Sequence, residues 1–202
     1  MDIKLELTKA ALAPMHCMSK GVTRSNLCGM YIHRHDSGKT RLFATDGSSA
    51  ALVELLEEFG TLDVDAKPIF VEAESIKALA KLLKGDTRAL IEISVSELTG
   101  DRFGMATVGD TKLTLKLGDE DMPQHRHIYT GFEAEPFAGT VRFDAKLMRR
   151  CMGVVIQFGS RVRKEADDPF DVTFFGELRP ARIYTENPGV GTCEIAIMPM
   201  RK

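Results

Sequence analysis

Three stretches of this chain open alike: IKLELTKAALAPMHCM at 3–18, PIFVEAESIKALAKLL at 68–83 and TVRFDAKLMRRCMGVV at 140–155. Each starts with the alternation of a half-buried strand and passes to the three-to-four spacing of a helix. Between the two stands a residue able to cap, Thr8 or Asp144, or an acidic one, Glu72. The apolar stripes are Leu12, Met15 and Met18; Ile76, Leu79 and Leu83; and Leu147 or Met148, Cys151, and Val154 or Val155. Three strand-like runs follow each helix. They are LCGMYIHRH, TRLFATDG and AALVELLEE; ALIEISVSEL, RFGMATVG and TKLTLKLG; DVTFFGEL, ARIYTEN and CEIAIMPM. DSGK and NPGVG supply turns. A repeated βαβββ unit limits the choice of fold sharply, because one unit cannot bury both its helix and its sheet alone. The expectation is an α+β protein of three such units. GFEAEPFAG (131–139) is the best candidate linker.

At 202 residues and 44% hydrophobic, the chain can bury a sizeable core. No apolar run approaches the ~18 residues of a membrane span, and the start MDIKLEL is charged. A soluble, cytoplasmic protein without signal peptide or membrane partner is expected. Cys17, Cys28, Cys151 and Cys193 contain no CxxC pair and read as buried thiols.

The net charge of -2 names no partner, but its distribution does. The three candidate helices carry Lys9 and Lys20; Lys77, Lys81 and Lys84; and Lys146, Arg149 and Arg150, against the single carboxylate of Glu74. The chain has 29 acids, so the strands and loops hold almost all of them. Arg24 lies just beyond the first helix, and Arg161, Arg163 and Lys164 lie beyond the third. For one helix, a solvated lysine face is the ordinary explanation. Three acid-depleted faces together suggest a polyanion, and nucleic acid backbone is the obvious one. With no helix-turn-helix, zinc finger or aromatic stacking motif, such binding would be independent of sequence.

Catalytic patterns are missing: there is no Gly-rich phosphate loop, GxSxG or HExxH. The pairs His33/His35 and His125/His127 have no third ligand at a suitable spacing and read as surface histidines. Asp46 in ATDG reads as a tight turn. An enzyme is not expected, nor is a cofactor or a metal.

Several segments resemble the bacterial DNA polymerase sliding clamp, the beta subunit of the replicative polymerase. LCGMYIHRHDSGKTRLFATDG (27–47) is similar to a strand pair of the clamp's middle domain, KLGDEDMPQHRHI (116–128) to the strand closing that domain, and EIAIMPMR to the clamp's C-terminus. The resemblance implies the DNA-clamp fold, with helices on the inner face and antiparallel sheets outside. Residues 1–131 would be one complete domain (units 1–66 and 67–131), 132–138 a linker, and 139–202 half a domain completed by another chain.

The resemblance further implies a factor that encircles double-stranded DNA, in the cytoplasm of a bacterium and encoded there or by a phage or plasmid. Lys9, Lys20, Arg24, Lys77, Lys81, Lys84, Lys146, Arg149 and Arg150 become the DNA-facing candidates. A hydrophobic pocket for short linear motifs of a DNA polymerase, clamp loader or repair protein would comprise Leu27, Thr45, Gly47, Ile197, Met198, Pro199, Met200 and Arg201. Methionine suits such a pocket because it repacks easily around different peptides. Where the family has His-Arg-Leu after ATDG, this chain has Ser48, Ser49 and Ala50. A bare third unit would leave sheet edges open, so a homo-oligomeric ring is expected, a tetramer of four three-unit chains, with a dimer as the fallback. The competing reading is a clamp-like regulatory or decoy protein that binds clamp-partner peptides without encircling DNA.

Overall fold

The computed structural model describes residues 2–21, 24–63, 66–85, 87–95, 102–124, 141–159, 170–176 and 179–200. Unit 1 is β1 (Asp2–Thr8), a short 3-10 helix (Ala13–Cys17), β2 (Gly29–Arg34), β3 (Thr40–Thr45) and β4 (Ser49–Leu55). Unit 2 is β5 (Ile69–Glu72), α1 (Ala73–Leu82), β6 (Arg88–Val95), β7 (Arg102–Val108), β8 (Thr111–Leu115) and the two-residue β9 (Leu117–Gly118). Unit 3 is α2 (Ala145–Gly159), β10 (Asp171–Thr173), β11 (Ala181–Asn187) and β12 (Gly191–Ile197).

Two elements depart from the sequence expectation. The first helix is only a 3-10 turn, with Pro14 at its start. Proline removes a donor that the body of an α-helix would need, and the chain is extended again by Met18. Lys9 and Lys20 therefore flank a short turn. The pre-helix segment of unit 3, Val141–Asp144, is not in a strand, although VRFD alternates as β1 and β5 do. No strand is paired with it among the described residues. The expected linker lies outside the described residues.

The strands form two antiparallel sheets in the orders β1-β6-β7-β8 and β10-β11-β12-β4-β3-β2-β5-β9. Units 1 and 2 exchange their first strands: β1 lies on β6 (Ile3↔Ile93, Leu7↔Ala89), and β5 lies on β2 (Ile69↔Ile32). Unit 3 then extends the larger sheet, because β12 pairs with β4 over seven residues from Gly191↔Leu55 to Ile197↔Ser49.

The 3-10 turn and both helices pack against one core. It takes Leu5, Leu7, Met30, Ile32, Leu42 and Val53 from unit 1, Ile76 and Leu79 from unit 2, and Cys151, Val154, Phe158, Ile183 and Ile195 from unit 3. The opposite face of the large sheet carries a second cluster of Tyr31, Phe43, Ala50, Leu52, Phe70 and Ala196, against which Met122 packs. Side chains alternate along a strand, so a sheet buried on both faces yields two clusters from adjacent residues. Among the described residues no helix is long and apolar enough to cross a membrane.

Candidate functional site

The junction of β4 and β12 gathers most of the residues expected to form a pocket. β3 ends at Thr45, and Asp46 turns the chain. Its Oδ1 accepts hydrogen bonds from the Ser48 and Ser49 amides at 2.9 and 2.8 Å and from the Ser49 hydroxyl at 3.1 Å. Thr45 Oγ1 donates to Ser49 O at 2.7 Å and accepts from the Gly47 amide at 3.0 Å. Gly47 sits at φ +87°, where a side chain would strain the backbone. A Cβ there would stand 3.9 Å from Leu27 Cδ1 and 3.8 Å from Arg24 Nη1, so Leu27 borders the turn.

The tail arrives on the other side. Past Ile197, which is buried, the Met198 amide donates to Ser48 O at 3.0 Å. Pro199 is buried and stops further pairing, because it has no amide hydrogen. The Met200 amide turns away and donates to Arg142 O at 2.8 Å. Met198 and Met200 are left 38% and 52% exposed, large apolar side chains beside a polar turn. Leu27, Thr45, Gly47, Ile197, Met198, Pro199 and Met200 thus converge, and Arg201 lies outside the described residues. Ser49 and Ala50 are buried, while Ser48 is exposed.

One contact was not legible in the sequence. The Asp46 Oδ2 oxygen pairs with the Arg150 guanidinium of α2, and the aspartate side chain is only 12% exposed. A carboxylate so enclosed is costly without its cation. Arg150, expected to face a nucleic acid, meets Asp46 and ties α2 to the turn. Three of the four cysteines also meet here. Cys17, Cys151 and Cys193 are fully buried, whereas Cys28 is half-buried. A hydrogen bond to Cys151, then burial, pushes the Cys17 thiol up, and burial pushes Cys193 up. The same hydrogen bond draws the Cys151 thiol below its ordinary value, so Cys17 and Cys193 are the two held as protonated packing thiols.

Gln157 of α2 fastens the helix to the 3-10 turn of unit 1. Its Nε2 donates to Lys9 O at 2.8 Å, and its Oε1 is 2.8 Å from His16 Nε2. His33 is buried, not a surface residue, and His125 and His127 lie outside the described residues. No group of three metal-ligating side chains occurs among the described residues.

Neither a protein-family model nor a curated protein sequence matches the chain. Solved structures do. A sliding clamp from Bartonella birtlesii, bound to griselimycin, superposes with a TM-score of 0.70 at 16% identity, covering 99% of this chain and 66% of that one. A DNA polymerase sliding clamp from Pseudomonas aeruginosa gives 0.69 at 16%, with 99% and 67% covered. One from Caulobacter crescentus gives 0.67 at 16%, with 100% and 66%. The fold is that of a DNA sliding clamp. This chain spans about two thirds of the length of those clamps.

In this clamp-fold chain the cations are distributed as follows. Lys77 and Lys81 are exposed on α1 and border an open groove of about 570 Å³ between α1 and β8, which Ala78, Leu82 and Leu113 also line. Lys84 is exposed just past the helix end, so the expected stripe runs beyond α1 by two residues. Lys146 and Arg149 are exposed on α2, on turns whose buried side is Cys151, Val154 and Phe158. Lys20 and Arg24 are exposed, and Lys9 is half-buried. None of these eight makes an ion pair among the described residues, in contrast to Arg88, Lys39, Arg41 and Lys116, which each meet a glutamate. Arg161, Arg163 and Lys164 lie outside the described residues.

Proposed function

We propose that this chain is a subunit of a non-enzymatic DNA sliding clamp. It encloses duplex DNA without reading its sequence and holds partner proteins by short apolar peptides. The observation that carries the reading is the laying of β12 on β4, which brings Ile197–Met200 to the Leu27, Thr45 and Gly47 turn and leaves two methionines open there. A pocket built from unbranched, polarizable side chains on a rigid seven-residue ladder accepts different peptides without rebuilding its frame.

DNA contact falls to Lys9, Lys20, Arg24, Lys77, Lys81, Lys84, Lys146 and Arg149. Cations that meet no carboxylate among the described residues are available to phosphate, and such contacts exchange easily, which suits sliding. Arg150 belongs with the pocket. The partners on this reading are duplex DNA, a DNA polymerase or clamp loader carrying a peptide motif, and further copies of the chain in a ring of four.

The test is retention on nicked circular DNA followed by linearisation. An enclosing ring is released when ends appear, whereas ordinary electrostatic binding persists. Retention after linearisation, with peptide binding intact, would favour the regulatory alternative. Met198→Ala with Met200→Ala is expected to weaken a polymerase-tail peptide by roughly tenfold or more and to spare DNA retention. Equal loss of both would refute the division of labour.

A further inference from the structure

Units 1 and 2 show how a unit of this kind is completed. Each gives its pre-helix strand to the other's first post-helix strand, β1 to β6 and β5 to β2. On its other side β5 is joined by the tail of its own unit: β9 pairs Val71↔Leu117 and Phe70↔Gly118, and the Glu72 amide donates to Lys116 O at 3.0 Å. Unit 3 repeats the second half of this pattern. Its pre-helix segment Val141–Asp144 is joined to its own tail by the bond from the Met200 amide to Arg142 O. The first half is missing: β10 stands at the edge of the sheet, with β11 on one side and no described strand on the other.

Exposure shows the same gap. Val172 on β10 is paired with Ile183, which is fully buried, so both side chains stand on the core face. Yet Val172 is 39% exposed, whereas Ile32 on β2 and Ile91 on β6, on the equivalent strands, are each 1% exposed. Phe170 beside it is 42% exposed. On α2, Gly153 and Gln157 face His16 of unit 1. Met148, Met152 and Ile156, spaced i, i+4 and i+8, therefore run along the other flank, and Ile156 is 64% exposed.

We infer that this face binds a second copy of the same chain. The two copies are related by a two-fold axis, and Val141–Asp144 of each is added to the edge of β10 in the other. A second copy is the occupant because one unit carries both halves of the contact, a strand-like segment to give and an open edge to receive. Such reciprocity is what a two-fold contact requires. Units 1 and 2 already perform the same exchange within the chain. The inference deepens the clamp proposal: it rests on that reading for its purpose and on the strand exchange for its location. Because Arg142 holds the tail, the seam would also steady Met200 in the peptide pocket.

The experiment uses the full chain at micromolar concentration, with mass read by analytical ultracentrifugation and native mass spectrometry, and amide exchange read at 141–144 and 171–173. The wild type is expected as an even-numbered oligomer with both segments protected, and dilution should remove that protection. Val172→Lys and Ile156→Lys change exposed side chains that the single chain does not need in order to fold. Each should weaken the seam by roughly tenfold or more, whereas Phe103→Ser, on the exposed face of β7, should not. A monomeric wild type overturns the inference. So does an oligomer whose mass and exchange ignore both lysine substitutions, or a chain that pairs only with a longer clamp subunit. A monomer still released from DNA on linearisation would overturn the seam alone, and a two-fold oligomer that is not released would overturn the clamp reading alone.

Discussion

Units 1 and 3 carry the same pattern and end in different states. In unit 1 the first strand finds β6, and the core-facing Met30 and Ile32 of β2 are sealed beneath β5. In unit 3 the segment VRFD bonds its own tail and packs Phe143 against Phe174, but it pairs with no strand among the described residues, and Val172 is left 39% exposed. The difference does not lie in local propensity, since both pre-helix segments alternate alike. It lies in whether a reciprocal partner strand stands among the described residues. A strand is a property of a pair. Unit 3 is well fastened on one side, to unit 1 through β4, and open on the other.

That contrast can be broken at its fastened side. The largest effect is expected from Gly191→Ala. Gly191 has φ +139°, and a Cβ there would meet the Glu54 carbonyl oxygen of β4. A loss of about 3 kcal/mol or more is expected. Hydrogen exchange should show β11 and β12 losing protection while β1, β6 and β7 keep theirs. Uniform loss across both sheets would mean that the units do not behave as separable pieces.

Arg150→Ala comes next. It strands the enclosed Asp46 carboxylate at a cost of about 1–3 kcal/mol, to be read as a lowered Tm. Asp46→Asn, which keeps an oxygen for the Ser48 and Ser49 amides, should cost less. The reverse order would place the turn's hydrogen bonds above the ion pair.

The smallest effect sharpens the comparison through pH. Burial raises the Glu54 pKa, but hydrogen bonds from Lys39 and Arg41 outweigh it and bring the carboxyl below its ordinary value. A depressed acid stabilises the fold above its unfolded pKa of about 4.3, and loses that contribution as pH falls through the folded value. Glu54→Gln should therefore cost about 0.5–1 kcal/mol at neutral pH, and the difference from wild type should shrink as pH falls through the folded value. A difference that persists in acid would assign the effect to packing.

Much of the fold was legible because periodicity records burial. β2, β3, β4, β6, β7, β11 and β12 fall where alternation or apolar runs placed them, and α1 and α2 where the apolar stripes did. The expectation of a pocket came from resemblance: neither Leu27 nor Met198 announces a site by itself. The first helix was overread because Leu12 and Met15 have helical spacing, while Pro14 between them limits the segment to one tight turn. The Asp46–Arg150 pair and the meeting of Cys17, Cys151 and Cys193 could not be read at all. They depend on which strand β12 chooses, and the sequence marks that strand as a partner without saying whose. His33 was misjudged because its neighbours in HRH are polar, yet it lies in a sheet buried on both faces.

The pairing of β4 with β12 also has a consequence in time. During synthesis β4 leaves the ribosome early, and the strand that covers it comes after both other units. Until then the seven residues Ser49–Leu55 present an open, mostly apolar edge. Pairing over so long a stretch of chain is slow, because the loop must close before any contact rewards it. The nascent protein thus spends its most vulnerable interval with the β4 edge uncovered. Chaperone dependence and losses to aggregation should therefore track the arrival of β12 rather than the completion of the first two units.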